Sequence, residues 1–122
     1  MAQNPVTGPS LPIDIPSALE RIGGDRSFLD ELLNLYQLDF EEKYGLLRQA
    51  LTEGNFLCIQ EIGHGLKGAA ANLSLTELQN SSCRMEEAGR EKDLPLAKQT
   101  LEALENGFRK LKIFLAQHGS EA

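Results

Sequence analysis

His64 and Lys67 lie three residues apart in the run Ile62-Gly63-His64-Gly65-Leu66-Lys67-Gly68. A neutral imidazole nitrogen is a nucleophile at physiological pH. A lysine one helical turn away would add a cation beside it. An ammonium there disfavours the protonated ring, which keeps a neutral nitrogen available. The same ammonium can stabilise negative charge arriving on an incoming group. A solitary surface histidine is most often without a task, so the surroundings decide.

The surroundings are unusual. Gly63 and Gly65 flank His64, and Gly68 follows one turn later. Three glycines inside one helix cost roughly 3 kcal/mol relative to alanine, at about 1 kcal/mol each. Close helix packing is a plausible reason for Gly63 and a possible one for Gly65. It is a poor reason for Gly68, which shares the outward face with His64 and leaves the ring open to a bulky visitor. The pattern describes a nucleophilic histidine that another macromolecule must reach.

The helix carrying this run is predicted over about residues 55–72, with Asn55 as its cap. Phe56, Ile59, Ile62, Leu66, Ala69, Ala70 and Leu73 form its apolar face. At 100° per residue, that face points roughly 170° away from His64. Gln60, Glu61, Lys67 and Gly68 surround His64 at helical spacing, with Ala71 a turn further on.

Four other helices are expected around it. Asp14-Ile15-Pro16 opens a short first helix that ends at Gly23-Gly24. Asp25 caps a second helix to about Thr52, with the stripe Leu29, Leu33, Tyr36, Phe40, Tyr44, Leu47 and Leu51. Gly45 is a place where it can bend. Ser74 and Glu77 have capping-box spacing and predict a fourth helix over about 75–90. Its stripe is Leu75, Leu78, Ser82, Met85 and Gly89. Asp93 starts a fifth helix with the stripe Ala97, Leu101, Leu104, Phe108, Leu111 and Leu115. Steps of three and four and short connections predict an all-α protein. Its architecture should be an up-down antiparallel four-helix bundle with a short additional N-terminal helix. Residues 1–13 read as a flexible leader, 14–118 as the bundle domain and 119–122 as a tail.

Composition narrows the function. The chain has 122 residues, enough for one domain, and a formal net charge of −6. That charge opposes binding to nucleic acid or anionic lipid by bulk electrostatics. No apolar run reaches the ~20 residues of a membrane span, and the start lacks a secretory signal. Two cysteines and two histidines are too few for a disulfide framework or an ordinary zinc site. Cys58 and Cys83 read as small buried or half-buried side chains, and His118 as incidental. Neither GxxxxGK[ST] nor GxGxxG occurs, so no nucleotide loop is expected. The inward stripes are apolar, which ranks a bundle metalloprotein low. No cofactor or metal is expected in the chain itself.

The run His64-Gly65-Leu66-Lys67-Gly68-Ala69-Ala70-Ala71-Asn72-Leu73 resembles the signature of histidine-containing phosphotransfer (HPt) domains. There the pattern is His-x-Leu-Lys-Gly, then small residues and a closing leucine. Gly23-Gly24-Asp25 resembles the family's opening segment. Leu78, Cys83 and Met85-Glu86-Glu87-Ala88-Gly89-Arg90 resemble its helix after the active site. The likeness extends over about Asp14 to Gln117. Gly63 replaces a frequent alanine, Gly65 a frequent polar residue and Ser74 a frequent glycine.

The resemblance implies a phosphoryl carrier of a multistep two-component relay. His64, through Nε2, accepts the group from a receiver-domain aspartyl phosphate and passes it to another receiver. Lys67 stabilises charge and Gly68 gives access. Gln60 is a supporting candidate. So is Arg90, for which favouring its helix C-terminus is at least as good an explanation. Glu61, Gly65, Ala71 and Asn72 belong to the docking rim, where Glu61 and Asn72 can equally be plain solvated residues. Mg2+ is expected in the partner receiver. The implied partners are response-regulator receivers and a hybrid sensor histidine kinase. The implied place is the cytoplasm, free or as part of a membrane-bound kinase. The alternative is a helical module that docks a receiver or kinase without being phosphorylated. The mixed charges from Glu86 to Asp93 read as a solvated helix end and loop.

Overall fold

The computed structural model describes residues 11–118. The chain forms five helices: α1 (Ile15–Ile22), α2 (Arg26–Glu53), α3 (Phe56–Asn72), α4 (Thr76–Arg90) and α5 (Leu94–His118). No strand occurs among the described residues.

Short polar side chains start four of the helices. Asp14 accepts from the Ser17 amide, Asp25 from Phe28, Asn55 from Cys58 and Asp93 from Leu96, at 3.0–3.2 Å. Each satisfies one amide left open by the first helical turn. Gly23 and Gly54 end α1 and α2 in the left-handed region, at φ 94° and 68°. The second helix runs unbroken through Gly45.

The fourth helix starts differently from its sequence signature. Its N-cap is Leu75 and no side chain caps it. Ser74 terminates α3 instead. It sits at φ 56°, its amide donates to the Ala71 carbonyl, and the Leu75 amide donates to Ala70. This pair of bonds is a Schellman closure, and its left-handed position favours glycine. The Ser74 hydroxyl is therefore turned to Ser17, with the two Oγ atoms 2.9 Å apart. The capping box fails because one residue cannot close α3 and cap α4 at once.

Every stripe position named above on α2, α4 and α5 is buried or half-buried. Phe40 and Phe108 stack across the interior with ring centroids 4.1 Å apart, which joins α2 to α5. Leu66, Leu78, Leu104 and Leu111 are almost wholly enclosed, each contributing roughly 1.5–3 kcal/mol by burial. Ile13, assigned to the leader by sequence, is also fully buried, and the Asp14 amide donates to the Ser74 carbonyl. A proline on one side and a capping aspartate on the other hid this anchor. The rest of the leader before Leu11, and the tail 119–122, fall outside the described residues.

Candidate functional site

The site is built where α3 crosses α4. A Cβ placed on Gly63 would lie 2.6 Å from the Glu86 amide nitrogen, and one on Gly89 would lie 2.4 Å from that of Gln60. The two contacts pair residues in opposite sequence order, so α3 and α4 run antiparallel. No side chain fits at either glycine. The backbones approach closely, and residues beside the contact must meet across the crossing.

His64 and Glu86 meet there. The His64 side chain is 70% exposed, whereas that of Glu86 is 13% exposed. Nδ1 of His64 lies 3.0 Å from Glu86 Oε2, and Lys67 Nζ lies 2.7 Å from Glu86 Oε1. An ionised carboxylate only accepts, so Nδ1 carries the proton in this contact. In the neutral ring the lone pair is then on Nε2. One carboxylate thus fixes the tautomer of the imidazole and the position of the ammonium.

Glu86 corrects two sequence readings. It stood inside a stretch read as a solvated helix end, yet its carboxylate is largely covered and doubly bonded. It also lies between the imidazole and the ammonium that were expected side by side. The bond from Lys67 holds the Glu86 carboxyl below its usual range; burial opposes this and the His64 bond adds to it. The same bond holds Lys67 above the ordinary lysine value, with the charges of Glu86, Cys83 and Arg90 acting on it as well. The register that aligns Gly63 with the fourth helix carried the signal for Glu86. That register is legible only once Gly63 and Gly89 are both recognised as crossing residues.

Gly65 and Gly68 have no heavy atom within 4 Å of an added Cβ. Gly68 is open, as its place on the helix demanded. The packing explanation fails for Gly65, which is open too. Gln60 is half-buried, with its backbone beneath Gly89. No hydrogen bond from its side chain to the imidazole occurs among the described residues. Arg90 is exposed, and no ion pair joins it to the trio among those residues; its charge acts on Lys67 through space. Glu61 and Asn72 are exposed and Ala71 is half-buried. Cys58 is half-buried, but Cys83 is exposed rather than covered.

At the C-terminal end of α3, Ala69, Asn72 and Leu73 face Ile22, Leu32, Leu35, Tyr36 and Asp39 across a groove of about 340 Å³. Leu35 and Leu38 on α2 are more than 60% exposed.

The Hpt domain family matches residues 31–113 of the chain. The chain belongs to the Hpt domain family. This Hpt domain is similar in structure to histidine-containing phosphotransfer protein B (HptB) from Pseudomonas aeruginosa PAO1, with a TM-score of 0.77 and 25% sequence identity. The likeness covers 89% of this chain and 95% of that one. No match was found among curated proteins. Among the described residues, the Hpt domain has no group of three or more histidine, cysteine, aspartate or glutamate side chains able to hold a metal ion. None of its described helices is long and apolar enough to cross a membrane. Membership of the family supports a histidine phosphotransfer role in a phosphorelay, with receiver domains as partners.

Proposed function

We propose that this Hpt domain takes a phosphoryl group onto Nε2 of His64 from the aspartyl phosphate of one receiver domain and delivers it to another. The observation that carries the reading is the exposed ring whose Nδ1 is engaged by Glu86, with its other nitrogen left at the surface. In-line transfer needs little beyond alignment and charge stabilisation. Lys67 is placed one turn from the ring to meet phosphoryl oxygens, releasing Glu86 Oε1 as it does so. Gly68 supplies clearance. Gln60 and Arg90 are second-rank supports that would move in when a partner docks. Mg2+ belongs to the acidic pocket of the receiver.

We read α2–α5 as an up-and-down bundle, as two- and three-residue connections favour. Docking then uses Gly65, Ala71, Asn72 and Glu61 with the groove between α2 and α3. A hybrid sensor kinase is the expected upstream partner, on the cytoplasmic side of a membrane.

Replacing His64 tests the reading. His64→Gln should abolish phosphoryl uptake from a phosphorylated receiver while the circular dichroism stays unchanged. The wild-type adduct should be acid-labile and base-stable. Undiminished uptake by the variant refutes the proposal.

A further inference from the structure

Leu57 is the one large apolar side chain that α3 leaves exposed, at 65%. A single exposed leucine is ordinary on a protein surface. Its place on this helix is not. Leu57 stands seven residues before His64, and seven residues turn an α-helix to within about 20° of two full turns. Leucine and imidazole therefore leave α3 in nearly the same direction, about 10.5 Å apart along the axis. On the other side of His64 the same strip carries Gly68, where an added Cβ meets nothing, and then half-buried Ala71. The ring thus stands between a projecting apolar side chain and a bare turn.

We propose that Leu57 is a specificity-determining residue, the apolar contact by which this Hpt domain selects among receiver domains and sets their orientation along α3. The proposal rests on the reading of His64 as the phosphoryl carrier. It adds a required feature of the partner, an apolar recess about 10 Å from the aspartate that bears the phosphoryl group.

The footprint argument is geometric. Transfer brings the receiver's aspartate to His64, so the contact surface centres on that ring. A standard interface buries about 800 Å² on each partner, a disc of about 16 Å radius. Leu57 falls inside that disc and on the side that faces the partner, so a docked receiver covers it. What covers it decides the outcome. An apolar recess takes the leucine out of water, which favours the complex in proportion to the area removed. A charged or hydrogen-bonding side chain at that place would lose its water without gaining a partner, and a receiver carrying one is rejected. The residues one turn on, half-buried Gln60 and exposed Glu61, are polar, so nothing on the strip substitutes for the leucine. The bare turn supplies direction. A receiver turned end for end would hold its recess over Gly68 and Ala71, where no side chain fills it.

The test uses the full chain and the phosphorylated receiver that charges it fastest among those of the source organism. In Leu57→Ala the receiver concentration for half-maximal uptake should rise about tenfold, equivalent to ~1.4 kcal/mol. The rate at saturation should stay within about twofold, because the contact is made equally before and during transfer. Leu57→Met keeps the apolar bulk and should restore the wild-type value. Ile113→Ala, which trims an exposed apolar side chain on α5, should change neither quantity. Circular dichroism and uptake from phosphoramidate should be the same in all four proteins. The ratio of kcat/KM between the best receiver and poor ones should shrink in Leu57→Ala. An unchanged half-saturating concentration in Leu57→Ala overturns the proposal. So does an equal rise in Ile113→Ala, or a loss of phosphoramidate uptake in Leu57→Ala. A wild type charged neither by phosphoramidate nor by any receiver overturns the carrier reading instead.

Discussion

Gly63 rests on the backbone of Glu86, so the residue next to His64 in sequence also seats the carboxylate bonded to its ring. The contact converts a helix crossing into a chemical geometry. Once α3 and α4 are in register, the positions of the imidazole, the carboxylate and the ammonium follow.

The contact makes the glycines unequal. In Gly63→Ala the new Cβ meets Glu86 backbone atoms at 2.6 and 2.9 Å, which cannot rotate away. The overpacking cost of about 1–3 kcal/mol should exceed the ~1 kcal/mol gained in helix propensity. Gly65→Ala meets nothing and should stabilise by about 0.5–1 kcal/mol. Denaturant unfolding of the two variants should show shifts of opposite sign.

Gly68→Leu separates access from chemistry. The position is open, so the fold and the trio should survive. Uptake from phosphoramidate should be nearly unchanged. Uptake from a phosphorylated receiver should fall at least about tenfold, equivalent to ~1.4 kcal/mol. Equal uptake from the receiver would show that the partner does not approach over this turn.

The trio also sets a pH window for stability. The Glu86 carboxyl is lowered from 4.5 by Lys67 first, so its contribution is complete above that value and lost as pH falls through its depressed folded value. Lys67 is raised from 10.5, so its contribution is complete below that value and lost as pH rises through its folded value. The melting-temperature difference between wild type and Glu86→Gln should be constant from about pH 5 to 8 and shrink below pH 4.5.

Lys92 offers a gain remote from the site. It closes α4 at φ 55°, with its amide bonded to Gly89 and that of Asp93 to Ala88. This is the Schellman position that glycine prefers. Lys92→Gly should stabilise by about 1 kcal/mol, measured as a higher denaturant midpoint with an unchanged slope.

The helices were legible because their apolar stripes repeat at three and four residues and their caps are short polar side chains. His64 was legible for the same reason, since an apolar face on α3 defines the opposite one. Ser74 misled because serine three residues before glutamate looks like a start, while the left-handed backbone it occupies leaves no mark on a serine. Glu86 stayed hidden for another reason. Its role depends on which residue of α3 it faces, and periodicity within one helix does not contain the register between two.

The His64 ring stands exposed on the flank of a helix. A convex centre has no walls to sort its visitors or to shut out the solvent. On the proposed reading, its choice of correspondent is made by the footprint of the protein that settles over it, and the message it would hold is shielded only while that cover is in place.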